Sequence, residues 1–598
     1  MAKKNKQEAL AYGKSDLLKK TIPYIKKEWK TFLVAFCLVF LIAFLQTYTP
    51  LLTKSVLDDY ILKENIDNTT KYHEICKLLI LYGVLTVIMV LSRYFMQYFM
   101  SLTGMNIERR LRNDAIKKID YLPVDYYSLE PDGKIVSKIT SDTNGVRVFF
   151  ETMFSIFQAL VNIIVVYAGI IYLKPMLGLI LLVLVPVLLI WVTVYRRRVH
   201  SYYQDLRETG SRITGKLNEL ITGALVIQDF NQEDSMLGDY KALVNRYNYN
   251  DKKANTVAAY FGWELLMLIK RLAEVAILVY FGFEYLDLGG TVVTVGLITT
   301  FTDYLTRMIN PVNAIFNNLN ELEDSMVGAN RVYLFMDEPN DTRVLSGEKA
   351  PDNILGDVEF KDVWFSYVKG KPVLKGISLK VEHGKNIGIV GHTGSGKSSM
   401  MNLLLAYNDY DSGEILVDGV DIKTYNKQSY RKNIGIVLQT PALFAGTIKS
   451  NLTMERDIYT DEEIKNVLLE VGGEDLLAKN NNDIYAPISF RGENLSLGEK
   501  QLISFARILL RNPKILVLDE ATANIDTETE TKIKHAMDVV CKNRTTFIIA
   551  HRLSTIKDCD EIIVLDDGQI VGRGSHKYLY DTCAVYKEMY DSQFKNYK

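Results

Sequence analysis

At 598 residues the chain is too long for one hydrophobic core, so several domains are required. Hydrophobic residues make up 48% and charged residues 24%, but that average conceals an apolar half over 31–318 and a mixed half over 345–598. The net charge of −1 comes without a basic block, so no nucleic-acid partner is expected, and five scattered cysteines lack metal-ligand or disulfide spacing and read as small apolar residues in a reducing compartment.

The N-terminus is basic (Lys3, Lys4, Lys6), yet the first apolar run begins near Thr31 and passes Leu45. That is too late and too long for a cleaved signal, so it reads as a retained span. Ahead of it, 14–30 mixes lysines with Leu17, Leu18, Ile22, Tyr24, Ile25 and Trp29. This is the pattern of an amphipathic helix on the inner membrane surface, with a juxtamembrane linker as the alternative. Six apolar segments come next, about 31–52, 76–100, 152–173, 176–196, 257–283 and 292–315, each long enough to cross a bilayer. In lipid their backbone groups find partners only within the segment, which requires helices.

Lysine and arginine collect in the N-terminal segment, after the second span (Arg109, Arg110, Arg112, Lys117, Lys118) and after the fourth (Arg196, Arg197, Arg198). Those sides are therefore cytoplasmic, which puts both termini inside. The two long inner connections carry helical periodicity (114–119 and 206–225) and are expected to continue beyond the membrane and turn back towards the second half of the chain. The fifth span contains Glu264, Lys270, Arg271 and Glu274, and the sixth contains Asp303 and Arg307. Ionisable residues at membrane depth default to function, here a substrate cavity lined by Glu274 and Asp303. The competing reading is self-neutralisation, because Lys270–Glu274 and Asp303–Arg307 are each four residues apart.

Proline, glycine and charge replace apolar residues near 337–341. The expected division is a cytoplasmic segment over 1–30, a membrane domain over 31–320, a linker over 321–350 and a second domain over 351–598. Beyond Val358 short β-like runs alternate with helices, and 358–360, 435–438, 515–518 and 546–549 suggest a largely parallel sheet.

The run Gly391-His392-Thr393-Gly394-Ser395-Gly396-Lys397-Ser398 lies between an apolar strand and a helix. Glycines let backbone N–H groups turn inward around phosphate oxygens, and the helix N-terminus adds partial positive charge. Gly391, Thr393, Gly394, Ser395, Gly396, Lys397, Ser398 and Ser399 are the candidate residues for holding ATP, with Ser398 on Mg²⁺. The strand 515–518 ends in Asp519-Glu520, which puts Asp519 on the Mg²⁺ shell and Glu520 where it can polarise an attacking water. The domain over 351–598 is therefore expected to be nucleotide-binding, and the fold class is an all-α six-helix transmembrane domain followed by an α/β P-loop ATPase domain.

Three further features sharpen the match: Leu495-Ser496-Leu497-Gly498-Glu499-Lys500-Gln501 ahead of that strand, Gln439 after an earlier one, and His551 after the next. With them the chain resembles the ATP-binding cassette family, in the order of an exporter half-transporter. That resemblance implies adenine stacking on Tyr367 (a core tyrosine being the alternative) and Mg²⁺ sensing by Gln439. It also implies a γ-phosphate contact from His551, a link between cassettes at Asp526, and contacts from Ser496 and Gly498 to ATP held by a second half-transporter. Two departures stand out: Glu499 at the fifth place of the signature, and Phe490 where many exporters have glutamate. The resemblance therefore implies an ATP-driven exporter of small amphipathic molecules or drugs in a bacterial plasma (inner) membrane, working as a dimer, a heterodimer because of Glu499, with a homodimer as the alternative. Peptide or lipid export is the alternative within the family, and an ATP-gated channel or regulator is the alternative outside it.

Overall fold

A computed structural model describes residues 12–63, 66–287, 293–454, 458–519, 527–550 and 553–594. The chain divides into two units, 1–117 with 133–338, and 118–132 with 339–598.

The first unit is helical. Helix α1 (Lys14–Lys27) precedes α2 (Trp29–Ser55) and α3 (Asn68–Ile119); then come α4 (Ser141–Leu173), α5 (Leu184–Thr222, after a short helix Pro175–Leu182), α6 (Glu233–Phe261), α7 (Trp263–Asp287) and α8 (Val295–Met336). At about 1.5 Å rise per residue α3 is roughly 78 Å long, far more than the apolar thickness of a bilayer, so it runs on beyond the membrane as the sequence predicts. Among the described residues four helices are long and apolar enough to cross a membrane, over Trp29–Ile61, Asn68–Ile119, Asp132–Leu173 and Pro175–Thr222. The fifth and sixth expected spans also form helices, α7 and α8, and these carry the ionisable residues.

Helix α1 buries Leu17 and Thr21, whose hydroxyl lies 2.9 Å from the Tyr333 hydroxyl of α8, and leaves Ile22 exposed. Lys20 Nζ reaches Asp337 Oδ2 at 2.6 Å, fixing the same contact electrostatically. Residues 321–336, expected as linker, continue α8, because Leu322, Ala329, Val332 and Tyr333 form a buried stripe at helical spacing. Helices α4 and α8 approach closely at Gly145 and Gly328, where a Cβ on Gly145 would stand 3.2 Å from the Gly328 Cα.

The second unit holds two main sheets. Four strands, β1 (Val358–Phe365), β2 (Leu374–Val381), β4 (Ser412–Val417) and β5 (Val420–Asp421), form an antiparallel sheet in the order β2-β1-β4-β5. The run at 358–360 therefore does not join the parallel sheet. Its buried positions alternate (Val358, Phe360, Val363, Phe365), the mark of a strand covered on one face. The larger sheet takes β3 (Asn386–Gly391), β6 (Ile434–Val437), β9 (Ile515–Asp519), β10 (Thr545–Ile549), β11 (Glu561–Asp566) and β12 (Gln569–Gly574) in the order β12-β11-β3-β10-β9-β6. A ribbon of β7 (Gly446–Thr447) and β8 (Pro487–Ile488) lies apart. All pairings in the larger sheet are parallel except β11–β12, and the inner strands are continuous apolar runs because both faces are covered.

The first inner connection belongs to this second unit. Its helix Val124–Leu129 buries Tyr126, Asp125 accepts from Asn408 Nδ2, and the Asp341 N–H donates to the Tyr121 carbonyl at 2.7 Å. The turn of the second connection, Ala224–Asp229, is different: Ile221, Leu225, Val226 and Phe230 are all exposed.

Candidate active site

Strand register assembles the site. In β3-β10-β9-β6, Ile389 lies beside Ile549, Ile549 beside Asp519, and Leu518 beside Val437. Gly391, Asp519 and Gln439 therefore leave the sheet along one edge, the carboxyl ends of parallel strands, where open α/β sheets bind ligands. Glu520, Asp526 and His551, expected at the same edge, lie outside the described residues.

The loop after β3 leads into α9 (Lys397–Leu404), whose N-cap Gly396 has φ +103°. A side chain there would be strained, and its Cβ would also stand 2.7 Å from Leu374 Cδ2. At Gly391 a Cβ would run into the Leu565 carbonyl. The backbone thus comes closer to its surroundings than any residue with a side chain allows, leaving a bare cradle at a helix N-terminus. Lys397 is buried, and its ammonium donates to the carbonyls of Gly391 (2.8 Å) and His392 (3.0 Å), which lays it across the mouth of the loop. Ser395 Oγ is buried with no hydrogen-bond partner, an orphaned polar atom that a phosphate oxygen would satisfy. Thr393, Gly394 and Ser398 are exposed, whereas Ser399 is buried and its hydroxyl sits 3.3 Å from the Tyr367 hydroxyl. Tyr367 is 53% exposed and packs edge-on against Phe365 at 4.7 Å, so one ring face is open, against a core role.

Donor chemistry fits Mg²⁺: a serine hydroxyl, an amide oxygen and a carboxylate are hard oxygen ligands. Ser398 opens α9, Gln439 is exposed just after β6, and Asp519 is the half-buried last residue of β9.

The signature segment opens α10 (Leu497–Arg511). Ser496 is its N-cap: Ser496 Oγ accepts from the Glu499 N–H at 3.2 Å, and Glu499 Oε2 accepts from the Ser496 N–H at 2.7 Å. Lys479 completes the arrangement from the short helix Glu474–Lys479, with Nζ 3.0 Å from Glu499 Oε1. Burial pushes the Glu499 carboxyl up, but the Ser496 N–H and the Lys479 ammonium outweigh that and hold it below its ordinary value. Gly498 is buried against Thr529, where a Cβ has no room. Phe490 is exposed, in a turn whose next residue, Arg491, has φ +54°. Lys479 escaped the sequence reading, since a cation twenty positions upstream leaves no local pattern.

Glu274 and Asp303 lie on the neighbouring helices α7 and α8. Glu274 is buried and lies 3.5 Å from Lys270 and 2.8 Å from Arg271, while Asp303 is 2.9 Å from Arg307, so each has a cation on its own helix.

Residues 32–312 match the family described as ABC transporter transmembrane region, and 374–523 match the family described as ABC transporter. The chain is 40% identical to a probable multidrug resistance ABC transporter ATP-binding/permease protein (YheH) of Bacillus subtilis, over 86% of this chain and 76% of that protein. This chain belongs to the ABC transporter family. The ABC transporter is also 33% identical to the putative ABC transporter ATP-binding protein exp8 of Streptococcus pneumoniae, over 98% of both chains. A fatty acid ABC transporter ATP-binding/permease protein of Mycobacterium bovis is 33% identical over 82% of this chain and 77% of its own length. The protein is therefore a membrane transporter that binds ATP and couples its hydrolysis to transport, with membrane region and ATPase fused in one chain.

Proposed function

We propose that this ABC transporter is an exporter of small amphipathic molecules or drugs, working as half of a dimer in a bacterial plasma membrane with its ATPase domain and both termini in the cytoplasm. The observation that carries the ATP-driven part is the phosphate cradle itself: Gly391 and Gly396 admit no side chain, Ser395 Oγ is buried without a partner, and Lys397 lies across the mouth. Ser398, Gln439 and Asp519 would hold Mg²⁺, which would neutralise charge on the phosphates. Glu520 orients and deprotonates the attacking water, and His551 contacts the γ-phosphate. Tyr367 stacks on adenine through its open face. Ser496 and Gly498 contact ATP held by the second half-transporter, and Asp526 has the role of linking the two cassettes.

The two inner connections support a dimer. The first is packed within its own ATPase unit, whereas the apolar tip of the second is bare. Exposed contiguous apolar residues mark an interaction site, here for the partner chain. The partner is a different chain, because in a homodimer both ATP sites would present a helix N-terminus already occupied by the Glu499 carboxylate. Glu274 and Asp303 act as structural pairs with Lys270, Arg271 and Arg307 rather than as cargo ligands.

The name of the fatty-acid relative favours a lipid-like cargo as the second reading. Reconstitution in proteoliposomes tests the proposal. ATP-dependent uphill movement of a fluorescent amphiphile is expected, whereas downhill flux gated by ATP without accumulation would make the protein a channel.

A further inference from the structure

A polar cavity of about 200 Å³ opens among α3, α4 and α8, lined by Gln97, Glu151, Ser155, Gln158, Asn318 and Glu321, with Met100 and Phe154 as its apolar wall. We propose that it takes the cationic head group of the transported amphiphile. The proposal rests on the exporter reading and names the substrate class.

Charge and space both point to a cation. Glu151 faces Gly104, where a Cβ would stand 2.7 Å from its Oε1, so the missing side chain admits the carboxylate. Arg147 lies 3.4 Å from Glu108 but only within 3.9 Å of Glu151, and Arg112 pairs with Glu108. The cavity lining itself carries two carboxylates, Glu151 and the exposed Glu321, and no basic side chain among the described residues. Glu274 and Asp303, by contrast, each carry a cation at close range. The remaining lining is hydrogen-bonding, with Asn318 Nδ2 donating to Ser155 Oγ at 2.8 Å.

Depth and size agree. Gln97 lies at the inner end of the second expected span, Glu151 immediately precedes the third, and Asn318 comes just after the sixth. All three thus reach the cavity at the cytoplasmic end, level with lipid head groups. Pockets for whole drug-sized ligands run to roughly 300–1,000 Å³, so this one houses a head group and leaves the tail outside it. Phe154 continues into an aromatic cluster with Phe32, Phe157 and Phe36, an apolar surface adjoining the charged end.

The test uses the purified full-length transporter, with its partner half if that is required, in detergent free of aminolipid and without ATP. Equilibrium dialysis compares tetraphenylphosphonium with tetraphenylborate, ions of similar size and opposite charge. The cation is expected to bind at least ~10-fold more tightly, and Glu151→Gln, Glu321→Gln and Gly104→Ala each to weaken it roughly 3- to 10-fold. Glu321 is exposed, so its substitution does not threaten folding. Equal affinity for the two ions, or wild-type cation affinity in both glutamine variants, overturns the proposal. Added phosphatidylethanolamine that competes with the cation assigns the site to a lipid amine; absence of competition assigns it to free cations. Cation binding without ATP-driven transport in proteoliposomes would reject the export reading while leaving the cavity's role intact.

Discussion

Lys479 Nζ stands 3.0 Å from Glu499 Oε1, so the carboxylate at the fifth place of the signature is one half of an ion pair. Its other oxygen is taken by the Ser496 N–H. Lys479→Ala should therefore slow ATP hydrolysis by the assembled transporter about 2- to 5-fold, the range of a partly exposed pair. Glu499→Gln keeps the cap and needs no counter-charge, so adding it to Lys479→Ala should restore the rate. A double variant as slow as Lys479→Ala would deny the pair its role. The folded pKa of Glu499 is lowered, so its contribution is complete above the unfolded value of about 4.3 and is lost only as pH falls below that. Rates between pH 6 and 8 should show no step from this group.

Gly396→Ala forces a side chain into φ +103° and against Leu374. It should cost about 1–3 kcal/mol of local strain and weaken ATP binding at least ~5-fold. Nucleotide titration followed by fluorescence measures it, and unchanged affinity would mean that the cradle does not touch phosphate.

Substituting Glu520→Gln, which removes the carboxylate while preserving shape, should leave ATP bound and reduce turnover by roughly 10²–10⁴-fold. Single-turnover assays on a sample with no second intact site decide this. In the same assay Tyr367→Ala should weaken nucleotide affinity by about 1 kcal/mol through lost stacking.

Glu274→Gln strips the largely buried Lys270 and the exposed Arg271 of their common buried partner. A loss of roughly 2–4 kcal/mol is expected, read as a lower melting temperature in detergent, with recovery in the Lys270→Met/Glu274→Gln pair. Asp303→Asn should be milder, because Arg307 also donates to the Gln46 carbonyl at 2.9 Å. If Glu274→Gln instead kept its melting temperature and changed the range of compounds that stimulate ATPase activity, Glu274 would be a cargo ligand.

The parts of the molecule legible in the sequence were those whose physics is local. Gly391 to Ser398 announced itself because glycine, lysine and serine at that spacing serve one purpose, and the strands around it were continuous apolar runs. Val358 misled for the same reason: three residues cannot show whether a strand is covered on one face or two, and only the longer alternation to Phe365 does. The contact of α1 with Tyr333 was not legible, because composition reveals an apolar stripe but not the distant residue that one part of it meets. Lys479 and the Glu151 cavity were invisible, since both depend on residues tens to hundreds of positions apart meeting in space.

The first inner connection, 118–132, is stitched into the ATPase unit through Tyr121, Asp125 and Tyr126. An exchange of cassettes between half-transporters cut only at 338 would therefore leave a foreign plug in a socket shaped for another. Chimeras that carry 118–132 together with 339–598 keep that joint native, and any engineered swap of motors in this family member should follow that seam.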